Sequence, residues 1–175
     1  IRAFGKKGYV WRTTQGDAAQ VKVILSLLKE KGVKRAALLA TNNTYGRTFY
    51  DWFGFFATEY RIDTPFIRQF DEGSPMLEAA VEEALKTDPD YLVAACWPED
   101  AATIKRVIDR SGSRTQLFLT DASAQPALIE KLGADAGGLE GTNPAADPTT
   151  GFVAAYEQKF GPRPAEFAAP TYAAL

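Results

Sequence analysis

The 175 residues contain no histidine and a single cysteine, Cys96, and carry a net charge of −2. Without histidine, the commonest general base and metal ligand, a Ser-His-Asp triad is excluded; one thiol excludes an internal disulfide and a cysteine metal cluster. The charge leaves no electrostatic footprint for nucleic acid or an anionic membrane, and no apolar run approaches the ~20 residues that a bilayer-spanning helix needs.

At 46% hydrophobic and 24% charged residues, the chain can bury the core of one domain, or of one domain and part of another. Tyr9, Val10 and Trp11 read as a strand end. Thr14-Gln15-Gly16-Asp17 has the form of a capping box, and Val21, Ile24, Leu25 and Leu28 follow at helical spacing, with Gly32 as the stop. Ala36 to Ala40 is a short continuous apolar run, the mark of a strand covered on both faces. The polar turn Thr41-Asn42-Asn43-Thr44 leads into a helix from about Tyr45 to Tyr60, striped by Phe49, Phe53 and Phe56 and widened by Trp52 and Phe55. That width is either core or a surface that meets another subunit or lobe.

Thr64 to Phe70 reads as the next strand. Ser74-Pro75 then has the form of a cap with proline at the first helical position, ahead of the stripe Leu77, Val81, Leu85. Asp88-Pro89-Asp90 is a turn, Tyr91 to Cys96 a strand, and Trp97-Pro98-Glu99-Asp100 opens a helix that Gly112 ends. Leu117 to Leu119 is a strand with Thr120-Asp121 at its exit. A helix spans Pro126 to Leu132, and a weak strand lies around Leu139 to Thr142. Asp147-Pro148 repeats the cap-plus-proline signal before the helix of Phe152, Val153, Tyr156 and Phe160. Gly161 to Pro164 is a stiff connector, and the last stretch, Phe167 to Leu175, begins a helix. Strands and helices alternate throughout, which predicts an α/β fold of three layers, a mostly parallel sheet flanked by helices. The chain starts at Ile1 and stops within a beginning helix, so a piece of a longer protein is expected.

No glycine-rich phosphate loop, G-x-G-x-x-G or G-x-S-x-G elbow is present, so neither catalysis nor a cofactor is expected. Three strand exits carry the chemistry instead: Thr41 to Tyr45, Cys96-Trp97 and Thr120-Asp121, with Thr44, Tyr45, Cys96, Trp97 and Asp121 as the candidate ligand contacts. Ligands in open α/β sheets sit outside the carboxyl ends of the strands, and these exits offer two aromatic faces, small hydroxyls and one carboxylate. Such a set holds a small molecule with an apolar body and a cationic or donor group. Each residue also has a purely local reading. Tyr45 can pack at the start of its helix, Trp97 can staple the next one, and Asp121 can cap the segment after it. Cys96 can be a small core residue, and Asn42, Asn43 and Thr44 ordinary turn residues.

The order of several segments resembles the leucine/isoleucine/valine-type solute-binding proteins of ABC transporters, which have the type I periplasmic-binding fold. The carriers are YVWRTTQGDAAQ at 9–20, NNTYGR at 42–47, DPDYLVAACWPEDAATIKR at 88–106, QLFLTD at 116–121 and GLEGTNPA at 138–145. The ending, Phe152 to Phe160 followed by GPRPAEFAAPTYAAL, belongs with them. The resemblance implies two lobes that close on a solute across a hinge. Residues 1–15 then end the first lobe and its crossover, 16–145 form the second α/β lobe, and 146–175 return toward a first lobe that is otherwise missing from this chain. It also implies an extracytoplasmic protein, periplasmic or extracellular, that works with the membrane subunits of an ABC importer, or else the ligand-sensing domain of a receptor or amide-responsive regulator. Carried over by position, the family's tyrosine before glycine falls on Tyr45. Its aromatic before Pro-Glu falls on Trp97, with Cys96 as the alternative, and its acid for the ligand's α-ammonium falls on Asp121. Trp and Asp stand here where branched-chain members commonly have Tyr and Glu. An amino acid is therefore the favoured ligand class, with an aromatic acid, an amide or a urea-like solute as alternatives.

Overall fold

The computed structural model describes residues 12–165 and 167–174. The expected strand end at Tyr9 to Trp11 lies outside the described residues. The chain divides into one compact unit, Asp17–Thr142, and a second made of residues 1–16 and 143–175.

The larger unit is built on five parallel strands in the order β2-β1-β3-β4-β5. They are β1 (Ala36–Thr41), β2 (Ile67–Phe70), β3 (Tyr91–Ala95), β4 (Gln116–Leu119) and the two-residue β5 (Glu140–Gly141). Parallel neighbours need long crossovers, and helices supply them: α2 (Thr44–Tyr60), α3 (Leu77–Lys86), α4 (Pro98–Ser111) and α5 (Pro126–Leu132), while α1 (Asp17–Glu30) precedes β1.

Strand side chains alternate between faces, and the two cores follow that alternation. Ala36, Leu38 and Ala40 of β1 pack with Val93, Ala95 and Phe118 under α1 and α2, against Val21, Ile24, Leu25, Phe49 and Phe53. Ala37 and Leu39 pack with Leu92, Ala94, Leu117 and Leu119 on the other face, against Leu77, Val81, Ile104, Val107 and Leu128 of α3, α4 and α5. All six residues of β1 are buried, the apolar run Ala36 to Ala40 and Thr41 at its end. Burying each such leucine contributes roughly 1.5–3 kcal/mol, and truncating one to alanine costs about 2–5 kcal/mol once the cavity is included.

Several boundaries depart from the sequence reading. Helix α1 opens at Asp17, two residues later than a Thr14 cap requires, and the Thr14 hydroxyl donates to the Gln15 side chain. Strand β2 starts at Ile67 rather than Thr64, because Pro65 has no N–H for the ladder. Ser74 closes a turn through Leu77 N and Met76 N, and α3 begins only at Leu77, so Pro75 lies in the turn. Asp147-Pro148 opens a short 3-10 turn, Pro148–Thr150, and the next helix, α6 (Phe152–Phe160), starts after Gly151. The aromatics of α6 contact one another and Tyr172 of α7 (Ala168–Ala173).

The turn residue Asp90 does more than face water. Its Oδ2 accepts from Lys34 N at 2.8 Å and Arg35 N at 2.9 Å, which fixes the entry of β1 beside that of β3. These two amides, Lys34 first, hold its carboxyl below the ordinary value. A shallow groove of about 450 Å³ lies along this amino edge. Lys31 and Asp90, which help to line it, are engaged in structural pairs with Glu140 and with the two amides.

Candidate functional site

The opposite edge carries the residues singled out from the sequence. Thr41 ends β1 in the core, and Asn43, in an extended conformation, caps α2 by accepting from Gly46 N at 2.9 Å. Gly46 is required there. A Cβ on it would stand 2.1 Å from Thr41 O and 2.7 Å from Thr41 N, so any side chain drives the helix off the strand. This close approach delivers Tyr45, in the first turn of α2, to the sheet edge. Thr44, the first residue of the helix, is exposed.

Tyr45 joins the exits of three adjacent strands. Its ring packs on Phe49 at 5.0 Å and stacks on Trp97 at 6.0 Å with 24° between planes. Its Oη lies 2.8 Å from Thr120 Oγ1 and donates to Asp121 Oδ1 at 2.6 Å. As its local reading expects, one edge of Tyr45 packs in the lobe, while the hydroxyl reaches across the rim. Burial, first, and then the Asp121 charge and its hydrogen bond push the phenol pKa well above its ordinary range.

Asp121 follows β4 and does not cap α5, whose cap is Gln125. Its Oδ1 also accepts from Ala122 N at 3.0 Å, and Gln125 Nε2 donates to its carbonyl at 2.7 Å, which fixes the turn. Oδ2 receives no hydrogen bond from any described residue. Trp97 takes the cap position of α4, with Pro98 at the first helical position. It is 42% exposed, and its Nε1 donates to Glu72 Oε1 at 3.0 Å.

Cys96 is corrected. It is fully buried in the core on the α3 and α4 side, because the alternation of β3 that brings Trp97 to the rim turns its neighbour inward. Burial, and secondarily the charge of Asp100, raise its thiol pKa, so it offers a solute neither an accessible atom nor a thiolate. Tyr45, Trp97 and Asp121 come together; Thr44 stands beside them, and Cys96 lies beneath. Two further residues join the rim: Thr120, which the sequence marks only as part of an exit, and Glu72, in the turn after β2. The signal for Glu72 was its place after a strand that turns out to neighbour β1.

Among the described residues, no group of three His, Cys, Asp or Glu side chains is placed to hold a metal ion. Among the described residues, the rim thus presents an aromatic pair beside a carboxylate with one oxygen unbonded, at the carboxyl edge of a parallel sheet, the edge at which proteins of the open α/β class hold ligands.

The comparisons with known proteins agree with that class. The family model for periplasmic binding proteins matches residues 3–175, and the chain belongs to that family. No curated protein sequence matches it. Among solved structures, the leucine binding protein LivK of Thermotoga maritima superposes with a TM-score of 0.82 at 24% identity, over 95% of this chain and 49% of its own. An ABC-transporter solute binding protein of Rhodopseudomonas palustris, in complex with benzoate, gives 0.75 at 15%, over 94% and 47%. An extracellular ligand-binding receptor from Rhodopseudomonas palustris HaA2 gives 0.73 at 18%, over 90% and 47%. The α/β sheet with flanking helices is therefore the periplasmic-binding-protein fold, and the chain spans about half the length of these structures.

Proposed function

We propose that this chain supplies the second lobe of an extracytoplasmic solute-binding protein serving an ABC importer, and that it holds an amino acid or similar small solute without transforming it. On this reading residues 16–145 are that lobe, and the flanking segments run to and from a first lobe elsewhere in the parent protein. The observation that carries the reading is the convergence of Tyr45, Trp97 and Asp121 from three adjacent strands. Family membership and the importer proteins among the structural neighbours support it.

The chemistry assigns roles. An ammonium group on the solute meets the Asp121 carboxylate through Oδ2, a charge-assisted contact. The apolar part lies along the Tyr45 and Trp97 rings, whose faces also attract a cation. A carboxylate-first approach is repelled by Asp121, so an amine-bearing solute is favoured over a simple aromatic acid. Closure of the other lobe removes water and strengthens each of these contacts.

The test is a thermal-shift screen of the parent protein carrying both lobes, against amino acids, amides, urea and benzoate. A ligand that binds only the folded state raises the melting temperature with concentration. The proposal expects such a shift from at least one amine-bearing solute; a protein that melts unchanged throughout the panel contradicts it.

A further inference from the structure

The turn after β2 is tied to its neighbours at three consecutive residues. Asp71 Oδ1 accepts from Asn42 Nδ2 at 2.9 Å, and Gly73 N donates to Asp100 Oδ1 at 3.1 Å. Between them, Glu72 Oε1 accepts from both Asn43 Nδ2 and Trp97 Nε1. These donors come from different strand exits, after β1 and after β3. The Asn43 amide is the one whose oxygen caps α2 at Gly46 N, one residue past Tyr45. A chain of hydrogen bonds thus runs from the Trp97 indole through Glu72 and Asn43 into the helix turn that carries Tyr45.

An indole N–H can only donate, so a single well-placed acceptor sets the ring's rotation. Trp97 is part-exposed and needs such a constraint to keep its plane near that of Tyr45. We propose that Glu72 is a positioning residue of the rim: its carboxylate oxygen fixes the Trp97 indole against Tyr45 and so sets the shape of the aromatic wall. Its consequence for solute binding rests on the function proposed above, but its effect on Trp97 does not.

The experiment compares Glu72→Ala and Glu72→Gln in the wild-type and Trp97→Phe backgrounds of the two-lobe protein. Tryptophan emission, anisotropy and acrylamide quenching are read without solute, with the melting temperature as a control. Glu72→Ala is expected to lower the anisotropy and raise the quenching of the Trp97 component, with no such change in the Trp97→Phe background. Glu72→Gln keeps an acceptor oxygen and restores the wild-type signal, which a purely electrostatic role does not allow. Affinity for whichever amino acid gives a thermal shift then falls about five- to tenfold in Glu72→Ala, as the indole loses its fixed orientation in the wall, and largely recovers in Glu72→Gln.

An unchanged Trp97 signal in Glu72→Ala overturns the proposal, as does a Glu72→Gln variant that behaves like Glu72→Ala. A changed signal with unchanged affinity overturns its bearing on binding. A protein that binds none of the panel defeats the solute-binding reading, while the fluorescence comparison still decides the positioning role.

Discussion

Tyr45 Oη donates to Asp121 Oδ1 across 2.6 Å, although 76 residues separate the two in the chain. The strand between their own, β3, ends at Ala95, and two residues past it stands Trp97, whose ring stacks on Tyr45. One phenol therefore ties together three strand exits, and its hydroxyl orients the Asp121 carboxylate. Replacing Tyr45 with Phe keeps the stack and removes the tie. Urea unfolding is expected to show a loss of about 1.5–3 kcal/mol, the value of a hydrogen bond to a charged acceptor.

The same pair governs an alkaline titration. The folded protein holds the Tyr45 proton more tightly than the unfolded chain, whose phenol has the ordinary value of 10.0. Its stabilisation is fully present below that value and is lost as pH rises through the higher folded one. Tyrosinate absorbance should show Tyr45 ionising after the exposed tyrosines, with the late step coinciding with unfolding and absent from Tyr45→Phe.

Asp90 gives the opposite dependence. Its carboxyl is held below the ordinary value of 3.8, chiefly by Lys34 N and Arg35 N. Its contribution is present above the unfolded value and is lost as pH falls through the folded one. Asp90→Ala should destabilise the lobe by roughly 1 kcal/mol at neutral pH, since the group is exposed and screened. The gap from wild type should close on acidification, as followed by circular dichroism in urea.

Gly46→Ala sets a methyl group against the Thr41 backbone, with a 2.1 Å approach to its carbonyl. Overpacking of this kind costs about 1–3 kcal/mol or more, and here the backbone must move. The unfolding midpoint should fall, and the Tyr45–Trp97 stack should loosen with it, visible as altered near-ultraviolet circular dichroism.

Much of this fold was legible because single segments carried it. The apolar run at Ala36 to Ala40 marked a strand buried on both faces, and Pro126 marked the start of α5. The cap-plus-proline signal misled at Ser74-Pro75 and at Asp147-Pro148, because a capped turn need not continue as an α-helix. The rim was legible as three exits, but not as contacts. That Tyr45 reaches past β3 to Asp121 depends on strand order, which no local spacing encodes. Glu72 stayed hidden for the same reason, since its partners Asn43 and Trp97 lie far from it in the chain. Cys96 against Trp97 turned on a one-residue alternation, which decides between core and rim.

The 175-residue chain by itself should bind solutes weakly. On the proposed two-lobe reading, one lobe leaves the solute's far face in water, where charge contacts are worth about 1 kcal/mol. Calorimetry on the isolated chain should detect no micromolar affinity for a solute that the two-lobe protein binds.

The most direct test of the whole account is a calorimetric titration of the two-lobe protein and its Asp121→Ala variant with the amine-bearing solute found by the screen. The account predicts saturable binding to the wild type and a loss of at least about a hundredfold in the variant, as expected when one partner of an enclosed charge pair is removed. Undiminished binding by Asp121→Ala, with its fold intact by circular dichroism, contradicts it.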